Sequence, residues 1–156
     1  MASPAGLTHA DLTAKLVLEG CLRIAEGKEL GKMPVEALPL TGAEMAAAGV
    51  DPGGLALFYA LGETGVFFNI RGAHARVWFN NEDCDGALET FERALQAAYP
   101  QARFAQQVDH PVPGMRVRLY RVDLDKKHLV DLEVTYPMSQ DAMRQFIVRV
   151  HAQERR

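Results

Sequence analysis

Two alternating runs separated by a short charged turn constrain this chain more than any other feature. Residues 114–124 read Gly-Met-Arg-Val-Arg-Leu-Tyr-Arg-Val-Asp-Leu, residues 125–128 read Asp-Lys-Lys-His, and residues 129–136 read Leu-Val-Asp-Leu-Glu-Val-Thr-Tyr. Period-two alternation on either side of a polar turn predicts a β-hairpin. In the second run Val130, Leu132, Val134 and Tyr136 share one face, and Asp131, Glu133 and Thr135 share the other. A slip of one residue would turn the acids into the core, so the register is well specified. In the first run the apolar phase passes from Val117 and Leu119 to Tyr120, Val122 and Leu124, a shift that a β-bulge would accommodate.

Three more strands are expected upstream, at Leu55–Leu61, 66–71 and 75–80, joined by glycine-bearing turns at 62–65 and 72–74. Such short connections make an antiparallel meander. Its alternation sends Val66, Phe68, Ile70, Val77 and Phe79 to one face. Phe67, Asn69, Arg71, Arg76, Trp78 and Asn80 go to the other, so two large aromatics stand among arginines on the polar side.

Helices are expected around these strands. Thr8 can cap a helix with Asp11 in its first turn, running to about Glu26 and ended by Gly27. Leu12, Leu16, Val17, Leu18, Cys21, Leu22 and Ile24 cover a wide arc, as in a helix that is deeply buried or shared with a partner. A second helix is expected from a cap at Asn81 or Asp83 to about Tyr99, with the stripe Cys84, Leu88, Phe91, Leu95 and Ala98 and with Pro100 beyond it. Residues 103–108 read as a short extended piece, and 109–114 as a stiff proline-bearing loop. Pro137 stops the last strand of the hairpin. Ser139 then caps a final helix with Ala142, Met143, Phe146, Ile147 and Val150 as its stripe.

The connection over 27–54 is long and irregular. Within it Thr41 and Glu44 form a capping box opening a short helix through Ala48, stopped by Gly49, and a turn follows at 51–54. Connections of this length often cover a core or carry function.

The predicted order is therefore αβββαββα plus the short helix: an α+β single domain over 1–156, with one mainly antiparallel sheet of about five strands and helices on one face. Flexible ends are expected at 1–7 and 152–156. This order resembles that of the small dimeric secretion-chaperone-like domains, which bind unfolded segments of other proteins. The resemblance is one of topology; it rests on no motif and transfers no residue roles.

A chain of 156 residues can bury a sizeable core. No apolar run approaches the roughly 18 residues of a membrane span. The first six residues show no basic region followed by an apolar stretch, so a cytoplasmic protein that does not engage the membrane is expected. The two cysteines, Cys21 and Cys84, fall in apolar helical stretches and read as small buried thiols. The net charge of −3 hides an asymmetry. Residues 1–100 carry seven basic and thirteen acidic groups, and residues 101–156 ten basic and seven acidic. Such asymmetry can orient a partner or a second copy of the chain.

Motifs of catalysis are missing. None of the five histidines has a second His or a Cys at metal-ligand spacing, so neither metal nor cofactor is expected. No nucleophile elbow or dinucleotide fingerprint occurs, and Lys28, Gly31 and Lys32 do not make a P-loop. Asp109 and His110 are the best acid–base pair by type, but chain neighbours rarely face each other productively and prolines stiffen their loop. Asp131 and Glu133 lie roughly 7 Å apart along one strand face. A nuclease-like site would carry a lysine at the next same-face position, where this chain has Thr135.

Arg116 and Arg118 share a strand face, with Arg121 beyond the phase shift. They can pair with Asp131 and Glu133, or join the aromatic face of the meander. The second arrangement predicts a partner-binding surface of Phe67, Arg71, Arg76, Trp78, Arg116 and Arg118, since arginines and aromatics make binding hot spots. It belongs to a non-catalytic adaptor- or chaperone-like domain that binds another protein or a second copy of itself. The alternative is a small-molecule binder or enzyme with a pocket under the 27–54 connection and Asp109 and His110 at its rim. A third reading, stacking of single-stranded nucleic acid on the sheet, is opposed by the negative net charge and by the lack of an RNP-type aromatic motif.

Overall fold

A computed structural model describes residues 7–49, 54–80, 84, 86–138 and 145–154. They form one eight-stranded antiparallel sheet with helices, an α+β fold. The strands are β1 (Ala37–Pro39), β2 (Leu55–Leu61), β3 (Thr64–Arg71), β4 (His74–Asn80), β5 (Arg103–Asp109), β6 (Met115–Asp123), β7 (His128–Pro137) and β8 (Gln145–Glu154). Their order across the sheet is β1-β2-β3-β4-β8-β7-β6-β5. Two four-stranded meanders thus meet at β4 and β8, and each is preceded by a helix.

The first helix begins at α1 (His9–Leu16), widens into a π-helical stretch at Val17–Cys21 and finishes with α2 (Leu22–Ala25). Its start is the expected capping box: the Thr8 hydroxyl accepts from the Asp11 amide, and the Asp11 carboxylate accepts from the Thr8 amide. Leu12, Leu16, Val17 and Leu22 are fully buried, which answers the wide apolar arc with burial inside the chain's own core. The helix α4 (Ala87–Ala98) packs beside α1 and buries Ala87, Phe91 and Leu95. The expected caps at Asn81 and Asp83 lie outside the described residues, and Gly86 precedes the first turn. Both helices cover the face carrying Phe68, Val77, Phe79, Val122, Val130, Leu132, Val134 and Phe146, which is the main core.

Beyond the strand count, which is eight rather than about five because β1, β5 and β8 join the expected strands, three expectations are corrected. The stretch read as a last helix is β8, and Ser139, Ala142 and Met143 lie outside the described residues. Phe-Ile-Val-Arg-Val satisfies both a helical stripe and a period of two. Two waiting partners decide for the strand, because β8 pairs along one side with β4 and along the other with β7. Phe146, Val148 and Val150 therefore enter the core together, while Ile147 points to the opposite face. The resemblance drawn from the element order loses its final helix with this change. The bulge expected in the first hairpin strand is not in the β6–β7 ladder, whose register runs without a shift from Met115↔Pro137 to Asp123↔Leu129. The register shifts instead between Phe104 and Gln106 of β5. The phase of β6 changes because the strand is apolar on both faces: Val117 and Leu119 point outward, Tyr120 and Val122 inward.

The third correction concerns the helices, which do not all lie on one face. The connection over 27–54 contributes β1 at the sheet edge and then α3 (Gly42–Ala48). The capping box of α3 is the one predicted, with Thr41 and Glu44 exchanging bonds, and Gly49 ends it in a left-handed conformation (φ 68°). This helix lies on the outer face, where Met45, Ala48 and Leu40 pack against Trp78, Ala56 and Ile147. A seven-residue helix is too short to persist alone. Its stability comes from packing the partly buried Leu40 and Met45 on the indole.

Candidate functional site

The outer face is organised as rows running across the strands. Antiparallel partners share a face, so the register gives each row directly. One row runs Phe58, Phe67, Trp78, Ile147, Thr135 and Val117. The next runs Ala56, Asn69, Arg76, Arg149, Glu133 and Leu119. The third runs Arg71, His74, His151, Asp131 and Arg121. The first row is apolar apart from Thr135, and the other two carry the charges.

Over the apolar row a cavity of about 590 Å³ opens between the sheet and the β1–α3 segment. Leu38, Pro39 and Leu40 form one wall and Ala47 and Ala48 another, and Phe58, Phe67 and Trp78 make the floor. Phe67 stacks on Trp78 with ring centroids 5.1 Å apart and planes 13° from parallel, and Phe58 tilts against Phe67 at 5.0 Å. Trp78 is only 3% exposed, because α3 roofs it. Polar groups meet at the rim. The Gln145 amide donates to Asn80 Oδ1 at 2.8 Å, and Glu44 stands at the first turn of α3. The Glu44 carboxyl is held below its ordinary range by the Thr41 amide and hydroxyl.

Arg76 borders this cavity. Its guanidinium lies 4.1 Å from the Trp78 ring centroid and donates to the Gly49 carbonyl, at the C-terminus of α3, at 3.0 Å. Cation–π contact and the negative end of a helix both favour a positive charge there. On the other side of Arg76 is a second recess of about 570 Å³, lined among others by Arg71, His74, Arg76, Arg149 and His151. Here the cross-strand partners are alike: Arg76 faces Arg149, and His74 faces His151 with the two Nδ1 atoms 2.8 Å apart. Burial, and after it the Arg149 charge, lowers the Arg76 pKa.

Four of the six residues expected on one surface are therefore together: Phe67 and Trp78 in the cavity floor, Arg71 and Arg76 in the basic recess. Arg116 and Arg118 are not with them. Their partners across β7 are Tyr136 and Val134, so they point to the helix-covered face. Arg118 lies 3.4 Å from Glu92 of α4 and 4.4 Å from the Phe104 ring centroid, and Arg116 lies 3.5 Å from Asp109. Tyr120 on the same face donates to Glu92, and burial and that carboxylate raise its pKa. Arg118 and Tyr120 meet Glu92 because strict alternation in β6 sets Arg116 and Arg118 in phase with Tyr120 and Val122. The assumed bulge would have reversed that phase.

The other acidic candidates are engaged as well. Asp131 accepts from Arg121 at 2.9 Å and from Gln153 at 2.6 Å, and Glu133 lies 3.8 Å from Arg149. The Arg121–Asp131 pair is one of those expected, whereas Arg116 and Arg118 take no part and Glu133 has Arg149 instead. Asp109 and His110 lie at the β5–β6 end of the sheet, opposite the cavity. The expected rim position under the 27–54 connection is thus overturned, and His110 Nδ1 accepts from the Val112 amide.

Sequence reasoning missed Leu38, Phe58 and Gln145 of the cavity and Arg149 and His151 of the recess. Alternation of Arg149 and His151 with Val148 and Val150 was the available signal. Among the described residues no helix is long and apolar enough to cross a membrane, and no group of three or more His, Cys, Asp or Glu is placed to hold a metal ion. Compared with protein-family models, curated proteins and solved structures, the chain matches none of them significantly.

Proposed function

We propose that the protein is a non-catalytic binding domain, and that its ligand is a small, largely apolar molecule held between α3 and the outer face of β2–β4. The observation that supports this reading is the aromatic floor of a cavity of about 590 Å³, within the usual size range of ligand sites. Stacked Phe67 and Trp78 offer a flat apolar surface, and Asn80 and Gln145 offer polar groups at its edge. The roof is a short helix with a single apolar side, so it can yield to a ligand without disturbing the main core.

Trp78 is the only tryptophan and reports on the site directly. Titration of the purified protein with a graded set of aromatic and aliphatic molecules should give a saturable change in its fluorescence. Ala47→Phe, which fills the cavity from an exposed position on α3, should abolish that change while the fold persists. A set without any saturable response counts against the proposal.

The adaptor role remains as a second proposal, favoured by β5. This strand ends the sheet, and it carries Phe104 at 52% exposure. Edge strands accept further strands, so a second copy of the chain or an extended segment of another protein would add there. Sedimentation at rising concentration tests the homodimer, and a monomer throughout argues against it. A cytoplasmic setting belongs to the same proposal and suits the buried Cys21 and Cys84. Burial pushes the Cys21 thiol up to about 12.

A further inference from the structure

We infer that the recess beside Arg76 is an oxyanion site that takes a phosphate group, independently of what fills the apolar cavity. The argument begins with the sheet. Like charges directly opposite each other on neighbouring strands are destabilising. Arg76 and Arg149 are nevertheless cross-strand partners, and both are half-buried. The next rung on the same face repeats the pattern with His74 and His151. Their Nδ1 atoms are 2.8 Å apart, so one ring donates to the other and at least one Nδ1 is unprotonated while the contact holds.

Among the described residues the neighbouring acids offset this excess only in part. Asp131, next to His151 in its row, is bonded by Arg121 and Gln153. Glu133 approaches Arg149 only to 3.8 Å, and Arg149 Nη1 also reaches Thr135 Oγ1 at 3.5 Å. Among the described residues, no carboxylate lines the recess; its walls are Asn69, Arg71, Arg76, Arg149, the two histidines and the small 72–73 turn with Ala75. Burial and the Arg149 charge both work against the charged form of Arg76, and a bound anion reverses the second of these effects. Arginines on adjacent strands give forked donors that match phosphate oxygens, and imidazole adds a further donor. The roof over the cavity also depends on Arg76, which holds the Gly49 carbonyl.

Inorganic phosphate is the probe. Isothermal titration and thermal shift are run against sodium chloride at equal ionic strength, with sulfate and acetate as further arms. Phosphate should bind saturably and raise the melting temperature more than chloride does. Arg149→Gln should weaken it about tenfold or more, the loss expected for one charge-assisted bond. Glu133→Gln, which removes the nearest competing carboxylate, should leave phosphate binding as tight or tighter. Preference for acetate over phosphate would overturn the phosphate assignment. No saturable response beyond chloride, or equal responses from wild type and Arg149→Gln, would overturn the site. Should Arg149→Gln fail to fold, the imidazole NMR signals of His74 and His151 in the wild type decide: they shift with phosphate or the inference is lost. Phosphate alone tests this recess and apolar probes with Ala47→Phe test the cavity, so either reading can fail without the other.

Discussion

The two meanders of the sheet are alike in topology and opposite in how they treat the outer face. In the half formed by β5–β7 the like-charged cross-strand partners Arg103 and Arg121 each have an acid beside them. Arg121 meets Asp131 at 2.9 Å, and Arg103 lies 3.6 Å from Asp123. Such pairs are what a solvated sheet face needs. In the other half, where β3 and β4 meet β8, arginine faces arginine and histidine faces histidine, and the aromatic row beside them is roofed by α3. The connection between β1 and β2 is long enough to lay down that helix, whereas its counterpart between β5 and β6 is a short turn. One face, built by the same alternation, thus becomes neutral scaffolding at one end and a charged, partly enclosed site at the other. Two like-charged rungs in succession, with Glu133 at 3.8 Å from Arg149 as the acid beside them, make this the end of the face where an anion would relieve most repulsion.

The comparison breaks first at its aromatics. Trp78→Ala should cost about 3–5 kcal/mol in denaturant unfolding, as a buried large-to-small change does. Phe104→Ala, on the half-exposed edge strand where the ring touches Tyr120 and Arg118, should cost less, about 1 kcal/mol. Equal costs would mean that α3 does not cover the indole. The cap of α3 comes next. Thr41→Ala should lower stability by about 1 kcal/mol and shift Trp78 emission to longer wavelength as the roof loosens.

Smaller effects separate the two kinds of charge. A double-mutant cycle on Arg76 and Arg149 in phosphate-free, low-salt buffer should give a repulsive coupling of roughly 0.2–1 kcal/mol. The same cycle on Arg121 and Asp131 should give an attractive coupling that shrinks as salt is added. Like signs for both cycles would erase the distinction between the halves. The smallest effect is acid loosening of α3. The folded-state pKa of Glu44 is lowered by its bonds to Thr41. Its stabilisation is therefore complete above the ordinary glutamate value, about 4.3, and is lost as the pH falls through the lower folded value. Trp78 emission should move to longer wavelength over that window, and Glu44→Gln should remove most of the acid dependence.

Much of this was legible in the chain. The meander at β2–β4, the β6–β7 hairpin, both capping boxes and the outward turn of Phe67 and Trp78 follow from alternation and cap chemistry within a few residues. The cavity was only half legible. Its aromatic floor is written in β3 and β4, but its roof depends on α3 folding back across the sheet. The basic recess was less legible still, because Arg71 and Arg76 come from one meander and Arg149 and His151 from the other.

The sequence by itself determined the local elements whose period is unambiguous, together with the helix starts where a side chain meets its own backbone. Tertiary structure decided the rest. Residues 145–154 became a strand because β4 and β7 each presented an open edge, and hydrogen bonds on both sides outweigh a helical stripe. Arg116 and Arg118 turned inward because register against β7 fixes the face of every residue on β6. Arg76 met Arg149 because two meanders far apart in the chain close against each other. Pairing across strands is a long-range choice, and no window of neighbouring residues contains it.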